Sequence, residues 1–144
     1  MFKHILVALD GSECSHKALD MAVRLAKEQG ARCTACTVVD VVRAAASMTF
    51  ATGDLVTQWI ATLNEDARRI ESEAIAKYAD SGVVIETKVL EGYPSSSLLD
   101  VAKNENADLI VMGSHGRTGL KRLWLGSVAE SVVQEATIPI MIVR

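Results

Sequence analysis

Short apolar runs that alternate with helix-like segments constrain the fold of this chain more than any other feature. The first run, residues 2–9, is apolar almost throughout, which is typical of a central parallel strand buried on both faces. The third run, residues 83–90, alternates apolar and polar residues, which favours an edge position. The other runs predicted as strands are residues 32–39, residues 109–112 and the segment from Ile138 to Val143.

The segments between these runs carry the spacing of amphipathic helices. The first helix is predicted to begin at the cap residue Ser12 and to end at Gly30. Two shorter helices are predicted, one opened by Pro94 and one over residues 128–136. Residues 40–53 are ambiguous: residues 44–46 could be helical, but residues 47–53 are a poor continuation, so the segment is predicted to be a mobile loop or a frayed entry to the next helix.

A long helix is predicted from the cap residue Asp54 to Gly82. Its apolar residues recur three or four apart and form one buried stripe: Val56, Trp59, Ile60, Leu63, Ala67, Ile70, Ala74 and Tyr78. The opposite face is predicted to be a solvated surface: Glu65, Asp66, Arg68, Arg69, Glu71, Glu73 and Lys77.

Strands that alternate with helices predict an α/β fold, a Rossmann-like three-layer α/β/α arrangement around a five-stranded parallel sheet. Right-handed crossovers give the strand order 3-2-1-4-5, and the length of 144 residues predicts a single domain over 1–144. In that order the winding reverses between strands 1 and 4, and ligands bind outside the carboxyl ends of strands at such a point. Asp10-Gly11 and the loop that starts at Gly113 would both lie there.

Charge and local pattern argue against several classes of partner. The formal net charge is −3, whereas a nucleic-acid-binding protein usually carries a basic face, so no nucleic-acid partner is expected. The apolar start is too short to span a bilayer, so no membrane association and a cytoplasmic location are expected. Cys33 and Cys36 match C-x-x-C but lie three apart on a predicted strand, so they should point to opposite faces as buried, reduced thiols.

The glycine-rich stretch from Met112 to Ser127 joins a predicted strand to the last helix in the pattern G-x2-G-x9-G-S, with glycines at 113, 116 and 126. Bare backbone amides beside a helix N-terminus form a natural phosphate cradle. Gly113 is predicted to let a ligand approach the strand end, and Gly116 to adopt a positive φ. Gly126 and Ser127 are predicted to present amides and a hydroxyl to the phosphate. Neither a Walker A loop nor a G-x-G-x-x-G dinucleotide fingerprint is present.

Three stretches resemble the universal stress protein family: Asp10-Gly-Ser12, Val38-Val-Asp40, and Met112-Gly-Ser-His-Gly-Arg-Thr-Gly119 through Gly126-Ser-Val128. The resemblance covers the whole chain and implies the branch of the family that binds ATP, with ADP or AMP as alternatives. It implies that the backbone of Val38 reads adenine beside Met112 and that Asp10 acts through Mg²⁺ or Mn²⁺. The predicted nucleotide-binding set is Ala8, Asp10, Val38, Met112, Gly113, Gly116, Arg117, Gly126, Ser127 and Val128.

Several polar side chains near this set have alternative roles. Asp10 would repel a triphosphate unless a divalent metal bridged them, but it could instead cap the first helix or bind the turn. Asp40 could bind ribose or serve as a turn acid. Arg117 is the basic residue favoured as a phosphate partner, whereas Lys121 and Arg122 are predicted to be solvated. The sequence does not rank the possible phosphate acceptors: Ser114, Thr118 and Ser127.

The predicted function is that of a nucleotide-dependent stress-response or signalling module. The sequence shows no paired carboxylates or activated nucleophile, so no dedicated catalysis is expected. One alternative is a slow metal-dependent ATPase or autophosphorylating protein using Asp10; steady phosphate release abolished by Asp10→Asn would favour it. The other is a nucleotide-free structural dimer. A homodimer is expected through the apolar edge strand from Ile138 to Val143, and a protein partner remains unidentified.

Overall fold

The computed structural model describes residues 1–117 and 124–144. The strands are β1 His4–Ala8, β2 Arg32–Val39, β3 Ile85–Glu91, β4 Leu109–Gly113 and β5 Ile140–Val143. They form one parallel sheet with the order β3-β2-β1-β4-β5, which confirms the predicted topology. Ile5 of the central strand lies in register with Cys33 of β2 and with Leu109 of β4.

Helices cover both faces of this sheet, so the molecule has the three-layer arrangement that the sequence predicts. The described helices are α1 Glu13–Gln29, α2 Val41–Ala46, α3 Gly53–Ala76, α4 Pro94–Asn104 and α5 Ser127–Glu135. Helices α1 and α3 pack on one face around Val7 and Leu19, whereas α4 and α5 pack on the other around Leu6 and Ile110. The burial of Leu6 and Val7 on opposite faces explains the continuous apolar character of the first strand.

Local sequence signals account for the ends of α1. The hydroxyl of Ser12 accepts a hydrogen bond from the amide of Ser15 over 3.2 Å, which caps the helix. Gly30 ends the helix at a φ of 65°, the left-handed conformation that glycine adopts without a steric penalty. Both predicted limits of this helix are therefore confirmed.

Several predicted boundaries are wrong, among them the starts of β1 and β3, which lie two residues later than predicted, at residues 4 and 85. Residues 40–53 contain α2, because the Asp40 carboxylate accepts a hydrogen bond from the Arg43 amide over 2.9 Å and starts a helix. Helix α3 begins at Gly53 after Thr52, and it ends at Ala76, well before Gly82. Strand β5 begins at Ile140 rather than at Ile138, after Pro139, whose missing amide hydrogen suits the margin of a sheet.

Two acids of α3 differ from the predicted solvated face: one is buried, and the other is partly exposed and held in an ion pair. Glu71 is only 3% exposed and lies inside the protein. Asp66 forms an ion pair with Arg117 of the glycine-rich loop over 2.9 Å. The buried and contacting residues of α3 therefore include these two acids as well as the predicted apolar stripe.

The two cysteines of β2 behave as predicted. Cys33 belongs to the core under α1 and α3, whereas Cys36 belongs to the core under α4 and α5. Burial raises the pKa of each thiol to about 12, so both stay protonated at neutral pH. Among residues 1–117 and 124–144, no helix is long and apolar enough to cross a membrane.

Candidate functional site

A cleft of about 720 Å³ lies at the carboxyl ends of the strands. All ten residues predicted to bind a nucleotide line it, although they come from four separate parts of the chain. The cleft opens where β1 and β4 lie side by side and the winding reverses, as the fold rule requires. The structure therefore brings the ten predicted residues together in one cleft, at the place that the fold rule indicates.

The loop after β1 supplies the first wall. The Asp10 carboxylate accepts a hydrogen bond from the amide of Ser12 over 2.9 Å, so Asp10 orders the turn, while Ser12 and not Asp10 caps α1. The Ser12 hydroxyl also donates to the carbonyl oxygen of His115 over 3.4 Å, which ties this loop to the glycine-rich loop. The second oxygen of Asp10 lies beside Gly116.

Gly113 ends β4. The sequence predicts that its missing side chain lets a ligand approach, but the space is occupied by another part of the protein. A Cβ built on Gly113 would lie 2.7 Å from the Cβ of Cys14 and 2.9 Å from the Cys14 carbonyl carbon. The first turn of α1 occupies that space, so Gly113 permits close packing between a strand and a helix. Gly113 still lines the cleft, but a ligand is not what requires a glycine here.

The next residue, Ser114, is only 1% exposed. Its hydroxyl lies 3.0 Å from Nδ1 of His115, and its amide donates to the carbonyl oxygen of Val143 over 2.8 Å. A buried hydroxyl that is already hydrogen-bonded is a poor site for phosphorylation. Ser127, which is exposed at the start of α5, is more accessible to phosphorylation than Ser114. Thr118, Lys121 and Arg122 lie outside the described residues.

Gly116 does not adopt the predicted positive φ. A Cβ at this position would instead lie 2.8 Å from a carboxylate oxygen of Asp10. A side chain here would therefore displace the Asp10 carboxylate on the opposite wall of the cleft. Gly11 is the residue of this region with a left-handed backbone, at a φ of 81°.

The start of α5 faces the same cleft. The Gly126 amide donates to the carbonyl oxygen of Ser114 over 2.6 Å, and this bond brings the helix start against the glycine-rich loop. In the described part of the chain, no side chain caps this helix, in contrast to the Ser12 cap on α1. The first-turn amides of α5 and the positive end of its dipole are therefore available to an anion.

The outer walls of the cleft include residues that the sequence reading missed. They come mainly from α2 and α3: Arg43, Ala44, Ser47, Trp59, Leu63 and Asp66. Trp59 is 42% exposed although it belongs to the predicted buried stripe. A usable signal existed for Asp66, because it follows Trp59 by seven residues, two helical turns, and so shares its face. Asp40 also lines the cleft, where its carboxylate caps α2.

Comparisons with known proteins agree with this description. A model of the universal stress protein family matches residues 1–144. The chain is 39% identical to universal stress protein YxiE of Bacillus subtilis, with 100% of both chains covered. Its fold is similar to that of MJ0577 of Methanocaldococcus jannaschii, at 27% identity and a TM-score of 0.86, covering 99% of this chain and 96% of that one. Its fold is also similar to that of UspA of Lactobacillus plantarum, at 26% identity and a TM-score of 0.82, covering 99% of this chain and 98% of that one.

Two more distant structures contain nucleotides. A universal stress protein in complex with cAMP is 24% identical, with a TM-score of 0.70 and 99% and 97% of the two chains covered. The universal stress protein of Archaeoglobus fulgidus in complex with dAMP is 21% identical, with a TM-score of 0.68 and 100% and 98% covered. At these identities the likeness shows the shared fold.

Proposed function

The chain belongs to the universal stress protein family, and we propose that its cleft binds an adenine nucleotide, with ATP as the expected ligand. In this proposal, nucleotide occupancy changes how the protein acts on a partner as a stress-response or signalling module. The complexes of two family members with cAMP and with dAMP are facts about those proteins. They support the class of ligand only through the shared fold.

The observation that carries this proposal is the uncapped start of α5 inside the cleft. Gly126 and Ser127 line the cleft together with Gly116, and the first-turn amides of α5 lack a side-chain acceptor among the described residues. Helix N-termini present unpaired amides and the positive end of the helix dipole, and phosphate oxygens are acceptors that such helix starts bind well. Val128, one residue further along the helix, completes this anion-binding end of the proposed site.

The proposed adenine end lies along the adjacent strand ends. Ala8 of β1, Val38 of β2 and Met112 of β4 line the same cleft, and they offer apolar surface to a flat base. Binding sites of this kind combine an apolar lining with a few placed polar groups. The volume of about 720 Å³ is within the range of pockets that hold ligands of nucleotide size.

A divalent metal fits this proposal only together with the nucleotide. In the described residues, no group of three or more His, Cys, Asp or Glu side chains is placed to hold a metal ion. Mg²⁺ is commonly bound by one or two carboxylates plus substrate phosphates, and Asp10 supplies one carboxylate in the cleft. Bound there, the ion would neutralise the repulsion between Asp10 and the phosphates.

Substitution of Gly116 or Gly126 by valine should strongly weaken nucleotide binding. A side chain at Gly116 would meet Asp10, and one at Gly126 would lie 3.3 Å from the carbonyl oxygen of Ser114, between the helix start and the loop. We expect the affinity for MgATP to fall roughly a hundredfold in each variant, since charge-assisted hydrogen bonds to phosphate are lost. Calorimetric titration and mass spectrometry of copurified small molecules would measure this loss. Gly53→Val, in open space on α3, is the control; unchanged ATP retention in the cleft variants would refute the proposal.

We also propose a two-fold dimer through β5. This strand pairs only with β4 in the described part of the chain, and its residues 140–143 are half-buried and apolar. Such an edge favours pairing with a second copy. Sedimentation velocity at micromolar concentration should show a dimer, and Ile142→Lys, which places a charge at the edge, should weaken it about tenfold or more. Because Ile142 also packs against the core under α4 and α5, the circular dichroism spectrum of the variant should match that of the wild type. Thr87→Lys on the opposite edge is the control, and a monomeric wild-type protein would contradict this proposal.

A further inference from the structure

We infer that Asp66 and Arg117 form a clasp across the mouth of the cleft and that Asp66 thereby sets how strongly the site favours a triphosphate over a monophosphate. This inference rests on the proposed nucleotide function and concerns the same site. The term clasp refers to these two residues alone.

The clasp joins two separate elements. Nη1 of Arg117, in the glycine-rich loop, lies 2.9 Å from Oδ2 of Asp66 on α3. Between them the guanidinium passes over the first loop, because a Cβ built on Gly11 would lie 3.3 Å from Nη2 of Arg117. Both residues of the clasp line the cleft. The cation that the sequence favours as a phosphate partner is therefore held by an acid at the cleft mouth.

The acid of the clasp has a second cationic partner on its own helix, and the clasp contact itself is open to water. The other carboxylate oxygen of Asp66 is bound by Arg69 of the same helix, and Arg69 also binds Glu73 over 3.2 Å. The hydrogen bonds from Arg69 and then Arg117 lower the pKa of Asp66, so its carboxylate is charged at neutral pH. The side chain of Arg117 is 50% exposed and that of Asp66 29%, so water can replace their contact.

These contacts predict a competition. A phosphate at the mouth would compete with Asp66 for the Arg117 guanidinium, and it must also approach the negative charge of Asp66. A triphosphate carries more charge and extends further from the nucleoside than a monophosphate. The attraction between the Arg117 guanidinium and the phosphates is therefore stronger for a triphosphate. Removal of the Asp66 charge should therefore strengthen the binding of ATP much more than that of AMP.

The test is a comparison of ATP and AMP dissociation constants for the full-length wild type and for Asp66→Asn. We expect Asp66→Asn to tighten ATP binding about tenfold and AMP binding less than about twofold, the gain of one charge-assisted hydrogen bond. Glu73→Gln is the matched control, since it removes an acid from the same helix and from the Arg69 contact but not from the cleft. It should leave both constants unchanged.

Arg117→Gln distinguishes the clasp from simple repulsion. In that background, Asp66→Asn should no longer favour ATP by more than about twofold. A tenfold gain that persists without Arg117, or equal gains for ATP and AMP, would overturn the inference while the proposed nucleotide function stands. Absence of binding of either nucleotide by the wild type and by every variant would instead refute the proposed function and the clasp together.

Discussion

Gly113→Ala should destabilise the protein more than any other single methyl group added to a glycine of the described chain. The new Cβ would lie 2.7 Å from the Cβ of Cys14 and within 3.0 Å of two backbone atoms of α1, Cys14 carbonyl carbon and the Ser15 amide nitrogen. Backbone cannot move aside as a flexible side chain can. We expect a loss of about 2–3 kcal/mol in the free energy of unfolding, as in other overpacked cores, and a melting temperature lower by roughly 6–10 °C.

Chemical denaturation of Gly113→Ala beside Gly53→Ala would measure this effect. A Cβ at Gly53, at the start of α3, meets nothing within 4 Å, so that variant should be as stable as the wild type or slightly more stable. Equal stabilities for all three proteins would show that α1 does not pack against β4 as described. A stable Gly113→Ala protein that fails only to bind nucleotide would restore the predicted role of Gly113 in admitting a ligand.

The sheet could be predicted because its signals are local and its winding is governed by a handedness rule. Apolar runs fix the strands, right-handed crossovers fix their order, and the reversal of that order fixes the place of the cleft. The ten predicted site residues meet there for the same reason, since strand ends in a parallel sheet share one edge. The positions of the strand ends place these residues in one cleft, so this part of the prediction needs no knowledge of side-chain contacts.

The reasons for individual glycines could not be predicted in this way. The sequence shows that Gly113 and Gly116 lack side chains, but not that α1 lies against one and Asp10 against the other. Those contacts join residues far apart in the chain, and tertiary packing decides them. The predicted positive φ belongs to Gly11 rather than to Gly116, because the tight turn follows the first strand.

The prediction of a solvated face for the acids of α3 is wrong because the apolar stripe is only part of the face that α3 buries. Glu71 follows Ala67 by four residues and precedes Ala74 by three, so it belongs to the same face as two buried alanines. Charged residues are rarely buried, so the residue type of Glu71 predicts an exposed side chain, whereas its spacing predicts a buried one. The structure shows that the spacing was the better guide.

Glu71 lies at a groove of about 650 Å³ between α3 and β3, on the other side of α3 from the clasp. One of its carboxylate oxygens and the hydroxyl of Thr37 are both buried, and neither has a hydrogen-bond partner in residues 1–117 and 124–144. Burial raises the pKa of Glu71 from 4.5 to about 7, while the polar groups of Thr37 and Thr87 beside it offset part of that rise. The charged carboxylate is therefore unfavourable in the folded protein.

Glu71→Gln should stabilise the protein above neutral pH. Because the folded protein binds the Glu71 proton more tightly than the unfolded chain does, the contribution of Glu71 to stability is greatest below pH 4.5 and is lost as the pH rises through about 7. The rise in pKa corresponds to roughly 3 kcal/mol of lost stability once the carboxyl is charged in the fold. An uncharged amide of the same shape avoids that loss, so we expect a gain of about 2–3 kcal/mol at pH 8.5 that disappears near pH 4.5.

Urea denaturation from pH 4.5 to pH 8.5 would test this expectation, because it measures the difference between the two proteins at each pH. Glu73→Gln is the matched control: the same change, two residues along α3, on a side chain that is 64% exposed. Its effect should stay within about 0.5 kcal/mol at every pH, as for most surface substitutions. A Glu71→Gln protein that is less stable than the wild type at pH 8.5 would mean that the charged carboxylate has a favourable partner, and that α3 is held to β2 by that charge rather than in spite of it.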